Sequence, residues 1–499
     1  MRKLQIRYLL VVMSLLMALV LPGCQILQPD TQDDRVNTSS DIAAENTTVT
    51  TGEKKVFRVV VNDGGMVELT EKLIEQFEEN HPELTVELQV LPITRVMNPE
   101  NTEIRELQMQ RLRTQIMAGD GPDVYLMPSA AAYDESLFWD VQQSMRNGIF
   151  ADISKYYDAD TELNKQNLVT PIMDAGVIDG ARYVLPLFYE MPVAYVDVEQ
   201  FEAEGGTMDM FNGTITDFHQ KALSSGNPRL ATGVTVDRLA MRKISLNFIP
   251  ELIDYTEQEL LVTKEDIVPF LENYQTLFSL EKRNPDIEDH GVQLNSPGTL
   301  ERFISNDGFW NEYRCMYIGL MQDMIDNIVF SKAFDVNIEM YPVAASDGDV
   351  VADVSFYGAV DGNCDDPALA YEFLRMFLTK EAQWTGNRVT DALKYIGWPV
   401  YANADTDALN AEIKDCVWQL TGNAEKKLNL GETKLTDEDL LDLYAHIDRV
   451  QFTSDFERAF FYEIIDMMNN GDTGEVEDFD IKAGVEKWLD DIDWFLAES

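Results

Sequence analysis

The residue types that most often carry chemistry are present but scattered. His81, His219, His290 and His446 lie far apart, and neither HExxH nor GxSxG occurs. Cys24, Cys315, Cys364 and Cys416 have no CxxC spacing, so they read as neither a zinc site nor a disulfide framework. With Cys24 set apart for the reason given below, the other three are expected to be buried free thiols. The 88 acidic residues leave a glycosidase pair open, because two carboxylates at a suitable separation suffice for that reaction. Two acid-rich loops, DADTELNKQNL (158–168) and NGDTGEVEDF (470–479), alternate oxygen-bearing residues. Neither has the sixth-position glycine or the terminal glutamate of a calcium loop, so both read as solvated. No metal and no cofactor is expected. The line RTQIMAGDGPDVYLM (113–127) raises a sharper question about Asp123: phosphate cradle, catalytic carboxylate or scaffold turn.

The surrounding elements bear on that question. VFRVVV (56–61) reads as a buried strand and NDGG (62–65) as a turn. Leu69, Leu73, Ile74 and Phe77 share a helical face, and LTVELQVL (84–91) is a second strand. Ile104, Leu107, Leu112 and Ile116 mark a second helix, stopped by Gly119 and Gly121 before the strand DVYLM. Strand, helix, strand, helix, strand implies a parallel sheet whose ligand face lies beyond the carboxyl ends of the strands. Asp123 stands at the opposite end, and the two glycines close a helix rather than open one, so neither a P-loop nor a dinucleotide fingerprint fits. It is read as structural. Asn62 and Asp63, and then Met127, Pro128, Ser129 and Tyr133, are better placed to meet a ligand.

Further along, DGARYVLPLFYEMPVAYVDVEQFEAEGG (179–206) reads as a turn, strand material and a helix. Residues 207–335 are mostly helical in pattern. IEMYPVAA and VSFYGAV are short strands, and DDPALAYEFLRMFLTKEAQW is a helix with Pro367 in its first turn. The last helix places Val485, Trp488, Ile492 and Phe495 on one face, and Trp488 and Trp494 read as packing residues. A length of 499 residues suits two or three domains, and the formal charge of −49 is spread along the chain. Such a surface argues against a nucleic-acid partner, which needs clustered Lys and Arg. It also argues against adhesion to anionic lipid through a basic face. At the N-terminus, MRKLQIR is followed by the apolar run YLLVVMSLLMALVL, too short to span a membrane, and then by LPGC. The pattern is similar to a bacterial lipoprotein signal over residues 1–23, with Cys24 as the lipidated residue. The polar stretch 25–54 then forms a flexible tether.

Several segments, taken in order, resemble the extracellular solute-binding proteins of ABC importers, in the carbohydrate class related to maltose-binding protein. They are the lipobox and tether, LTEKLIEQFEENHPELTVEL, LRTQIMAGDGPDVYLM, NGIFADISKYY, DGARYVLPLFYEMPVAYVDVEQFEAEG, DPALAYEFLRMFLTKEAQW with a late GWPVY, and FFYEIIDMMNNGDTGE. The resemblance implies a two-lobed α/β periplasmic-binding-protein-like fold. Each lobe is expected to be a mainly parallel sheet flanked by helices, with the ligand cleft between them. The first lobe is drawn as 55–191 with 358–395, and the second as 192–357 with 396–499. The chain is expected to cross near 190–195, 341–358 and 396–402. It also implies a monomeric, non-enzymatic receptor on the extracellular or periplasmic face of the membrane. That receptor would capture a small-molecule ligand, a carbohydrate, and hand it to permease subunits.

Sugar recognition calls for aromatic faces that stack on the C–H side of a pyranose and for carboxylates that bind pairs of hydroxyls. Glu190, four residues after Pro186, matches the register of a sugar-contacting glutamate in the maltose-binding relatives. Trp310 in GFWNEY and Trp398 in GWPVY are the stacking candidates, with Trp139 a lesser one. Tyr133, Tyr189, Ser129 and Asp63 complete the set. The net charge favours neutral or cationic cargo over anionic. A surface-anchored glycan-active enzyme and an inert scaffold or adhesin remain as the competing classes.

Overall fold

A computed structural model describes residues 54–93, 99–130, 136–227, 230, 245–254, 257–282, 315–324, 327, 328, 331, 337–384, 396–403, 410, 411, 443–455, 457 and 480–498. The chain divides into two units, Met1–Glu53 and Lys54–Ser499, and all that follows concerns the second. Cys24, Tyr133, Trp310, Cys416 and the loop 470–479 lie outside the described residues.

Fourteen strands are described: β1 (Lys55–Asn62), β2 (Leu84–Leu91), β3 (Val124–Pro128), β4 (Val177–Ile178), β5 (Ala181–Arg182), β6 (Val184–Glu190), β7 (Pro192–Asp197), β8 (Ile253–Asp254), β9 (Glu259–Leu260), β10 (Met316–Leu320), β11 (Ile338–Pro342), β12 (Val351–Val360), β13 (Trp398–Pro399) and β14 (Arg449–Gln451). The first sheet runs β2-β1-β3-β12-β6-β13, with β14 also paired to β12. β1 is parallel to both β2 and β3, as the alternation of strand and helix requires. β12 is antiparallel to β3 and to β6, however, so the sheet is mixed. The second sheet, β10-β7-β11, is antiparallel throughout its described strands, which corrects the expectation of two mainly parallel sheets. The chain enters this second sheet directly from the first, since β7 follows β6 after the single residue Met191.

Each sheet has its own core. Phe57, Phe77 and Phe373 pack at centroid distances of 5.1 to 5.7 Å, joining β1 to the helices Val67–Asn80 and Pro367–Arg375. The second core gathers Phe201, Phe218, Phe248, Tyr274 and Met316 with Val485, Trp488 and Ile492 of the helix Ile481–Glu498. Trp494 on that last helix is 55% exposed, so it is not the packing residue its spacing suggested.

The helix Pro99–Met117 forms as the pattern predicts but turns a different face inward. Ile104 and Leu107 are 49% and 52% exposed, while Arg105, Met109 and Leu112 are buried. Arg105 sets this rotation by donating to Asn62 Oδ1 at 2.9 Å and to Pro92 O at 3.0 Å. The helix expected over 365–384 is broken. It ends at Arg375, passes through a 3-10 turn, and restarts at Lys380 after Thr379 takes an extended backbone. In the hairpin β4–β5, Asp179 (φ 52°) and Gly180 (φ 80°) form the Asp-Gly turn that a two-residue loop favours.

The chain passes between the sheets at 190–192, from β6 into β7, and at 342–351, from β11 into β12. A third passage had no counterpart in the sequence reading: after β10, Met321 and Met324 plug into the first core, and Met321 N donates to Met191 O at 2.9 Å. Residues 396–403 and 443–452, drawn in the second lobe from sequence, pack into the first instead. β13 pairs with β6, β14 with β12, and Trp398, Val400, Tyr444 and Phe452 all join the first core.

Candidate functional site

Asp123 occupies the amino end of β3, and its partners explain it. Its carboxylate accepts from Arg58 N at 2.7 Å and from Cys364 Sγ at 3.4 Å, and its own backbone pairs with Arg58 and Asp361. Cys364 is half-buried and not the buried thiol expected, and burial, with Asp123 alongside, pushes its thiol up to about 12, which disfavours the thiolate. Cys315 is buried in the second core. Gly121 is required by close approach: a Cβ there would lie 2.3 Å from Asp361 Oδ2 and 2.8 Å from the Tyr125 hydroxyl. Tyr125 donates to Asp361 across the same gap at 2.5 Å. The GDGPD line is therefore a scaffold turn, as read from sequence.

The opposite edge of the first sheet is where candidates converge. β1, β3 and β6 all end there, with Asn62 and Asp63, Ser129, and Glu190 at their carboxyl ends, and β12 begins there with Asp353 opposite Glu190. The second sheet starts from the same edge, since Pro192 pairs with Leu320 and Val193 with Pro342. Half-buried Asp63 is held through its backbone, its N–H donating to Leu91 O at 2.8 Å and its carbonyl accepting from Asn62 Nδ2 at 2.9 Å. The left-handed Gly65 (φ 101°) completes the turn. Ser129 is buried, and its N–H donates to Ser355 O at 3.2 Å. Glu190 is half-buried, and its Oε1 accepts from Gln322 Nε2 at 2.8 Å.

Tyr189 and Trp398 also meet here, paired in register across β6 and β13, but both side chains are wholly buried. The Tyr189 hydroxyl contacts Met321 Sδ at 3.6 Å, and Trp398 Nε1 donates to the Tyr444 hydroxyl at 3.0 Å. Trp384 stands edge-on to Trp398 at 5.3 Å. These rings floor the edge instead of offering a face to a ligand. Trp139 is 43% exposed, with the Arg113 guanidinium 5.5 Å from its ring.

Behind the edge lies a dense carboxylate network that the sequence did not single out. Asp353 accepts from the N–H and hydroxyl of Thr453. Asp455 accepts from the N–H and hydroxyl of Ser136, and Glu457 from both groups of Ser454. Burial, reinforced by Asp140 and Asp353, pushes the Glu457 carboxyl up to about 7. Glu457 lines a cavity of about 20 Å³, room for one water, between Gln451–Thr453 and the segment Leu246–Ile253. Asp160 of the first acid-rich loop caps a turn and binds the Tyr371 hydroxyl at 2.9 Å, which accounts for it without an ion. Among the described residues no three His, Cys, Asp or Glu side chains are grouped to hold a metal, and no helix is long and apolar enough to cross a membrane. Buried His219, stacked on Phe270, is pushed down to about 3 by burial and stays neutral.

Two sheets with separate cores, several chain passages and a polar junction define a two-lobed α/β binding-protein fold. Residues 63–236 match the family model described as bacterial extracellular solute-binding protein, so the resemblance read from the sequence stands. Solved structures agree at the level of fold. The galacto-N-biose-/lacto-N-biose I-binding protein of an ABC transporter from Bifidobacterium longum, in complex with lacto-N-biose, superposes with a TM-score of 0.52. It is 13% identical, and the match covers 88% of this chain and 98% of that one. An extracellular solute-binding protein family 1 member from Alicyclobacillus acidocaldarius gives 0.50 at 11% identity, covering 89% and 99%. A de novo designed cysteine esterase gives 0.52 at 13% identity, covering 90% and 99%, so the likeness is one of fold and not of activity. Curated proteins provide no match.

Proposed function

We propose that this protein is the lipid-anchored substrate-binding component of an ABC importer. It captures an extracellular sugar or oligosaccharide by closure of its lobes and delivers it to permease subunits. Cys24 carries the lipid, residues 25–54 hold the binding unit clear of the membrane, and the protein acts as a monomer without catalysis. The observation that carries the reading is the convergence of Asp63, Ser129 and Glu190 on the edge where the chain passes between the two sheets. Ligand contacts made there from both lobes exist only when the lobes are together, which is how a bound solute stabilises the closed form. The aromatic faces that the buried Tyr189 and Trp398 do not offer are assigned to Tyr133, Trp310 and the exposed Trp139.

The test is a thermal-shift and calorimetric screen of the mature chain carrying Cys24→Ser, against neutral glycans, polyamines and metal ions, with product analysis. A ligand at a hundred times its Kd adds about 2.7 kcal/mol of stability, a visible rise in Tm. The expected result is a shift with one sugar class, no product, and loss of at least tenfold in affinity with Glu190→Gln. Turnover of a glycan would replace the receptor by an enzyme. A silent panel together with capture of a protein partner would replace it by a scaffold.

A further inference from the structure

We propose that Gln322 reads the ligand at this junction by presenting an acceptor oxygen beside the Glu190 carboxylate, so the cargo docks there through a hydrogen-bond donor, a sugar hydroxyl or an ammonium. The inference rests on the junction being the binding site and specifies what that site accepts.

The orientation of the amide follows from its partner. A carboxylate has only acceptors, so the Gln322 NH₂ must face Glu190 Oε1, 2.8 Å away, and Gln322 Oε1 must face elsewhere. The side chain is 8% exposed, and that oxygen is buried with no hydrogen-bond partner among the described residues. A buried acceptor without a donor is costly, and such a group in a folded protein calls for an explanation. Among the described residues, the local segment supplies no donor to it. Asp323 accepts from Leu320 N at 2.8 Å, and the Asn327 amide is spent on Asp323 O at 2.7 Å. Across the sheet, Asp353 opposes Glu190 in register but is already engaged by Thr453. Gln322 belongs to the passage after β10 and Glu190 to the passage after β6, so the pair is fixed from both. What remains for a solute is an acceptor next to a negative charge. A phosphate or carboxylate brought there would meet the like charge of Glu190, whereas a hydroxyl or ammonium hydrogen satisfies the Gln322 oxygen.

Calorimetry on the mature chain carrying Cys24→Ser tests this with glucose, maltotriose, lacto-N-biose, spermidine, glucose 6-phosphate and glucuronate. The parent protein is expected to bind a neutral sugar or the amine and to disfavour both acidic sugars relative to glucose. Gln322→Met, close in shape but without amide groups, is expected to lose at least tenfold in affinity while its ligand-free Tm stays within a few degrees. Gln322→Glu is expected to shift preference towards spermidine. Should Gln322→Met melt early, the shift in Gln322→Glu decides alone. Parental affinity in Gln322→Met, no shift in Gln322→Glu, or tighter binding of an acidic sugar than of glucose each overturns the proposal. The last of these leaves the sugar-receptor reading intact. Selective binding of spermidine that depends on Gln322 does the reverse, and binding of none of the six overturns both.

Discussion

At the scale of single residues, the most consequential group outside the proposed contacts is Glu457. Its carboxyl is buried beside Asp140 and Asp353, and its folded-state value is raised to about 7 from an ordinary 4.5. A raised carboxyl binds its proton more tightly folded than unfolded. Its contribution is therefore complete below about pH 4.5 and is lost as pH climbs through 7. Two Ser454 donors keep the ionised form tolerable and limit the penalty. Glu457→Gln removes the titration while keeping an acceptor for Ser454. It is expected to match the parent near pH 4.5 and to exceed it at pH 8 by on the order of 1–3 kcal/mol. Urea unfolding of both proteins at the two pH values checks this, and equal stability at pH 8 would remove the strain assigned to Glu457. The second residue-scale expectation concerns Trp398, whose ring packs against Trp384 and hydrogen-bonds Tyr444. As a core side chain it should cost about 3–5 kcal/mol when cut to alanine. A variant with near-normal Tm and lost ligand affinity would instead return Trp398 to the binding face.

Elements were legible where period and punctuation agreed. β1, β2 and β3 with their two helices could be drawn from apolar spacing alone, and so could the parallel order that followed. The role of GDGPD was legible too, because the carboxyl-end rule separates Asp123 from the ligand edge. Its glycine is a geometric demand: Gly121→Ala would push a methyl into Asp361 and the Tyr125 hydroxyl. It is expected to lower stability by about 1–3 kcal/mol, measured by chemical unfolding, with ligand affinity little changed because the turn is at the far end of the sheet. Legibility failed where a polar group overrode the apolar pattern. Arg105 is buried by its bonds to Asn62 and Pro92, so the helix Pro99–Met117 exposes Ile104 and Leu107 against their hydropathy. The passage at 320–324 has no periodic signal, being one 3-10 turn anchored by two methionines, and Gln322 sits inside it. Tyr189 and Trp398 had the right residue types at the right edge, but composition cannot say which face of a short strand a ring takes. The carboxylates at 353, 455 and 457 meet only through the fold, roughly a hundred residues or more from some of their partners.

For the whole molecule, the arrangement of passages determines which contacts resist separation of the lobes. Arg449, on the short strand β14 of the first sheet, donates to Ile249 O at 3.1 Å in the segment that packs on the second core. It also lies 3.5 and 3.6 Å from Asp347 and Asp349 in the link between β11 and β12. Asp448 beside it fixes the end of that link by accepting from Val350 N at 3.0 Å. The Arg449 side chain is 13% exposed while Asp347 and Asp349 are 31% and 47% exposed, so water screens the two ion pairs and the hydrogen bond to Ile249 O is the better shielded contact. One side chain thus ties a sheet, an interlobe strand and the opposite core together. Removing it should loosen the relation between lobes more than it weakens either lobe. Arg449→Ala is therefore expected to increase the radius of gyration of the ligand-free protein in small-angle scattering and to weaken ligand binding severalfold. The affinity loss follows because the fraction of molecules poised for closure falls, and apparent affinity falls with it. An unchanged scattering profile accompanied by a lowered Tm would make Arg449 a stabiliser of the first lobe alone, and the geometry of closure would then have to be set by the passages at 190–192 and 320–324.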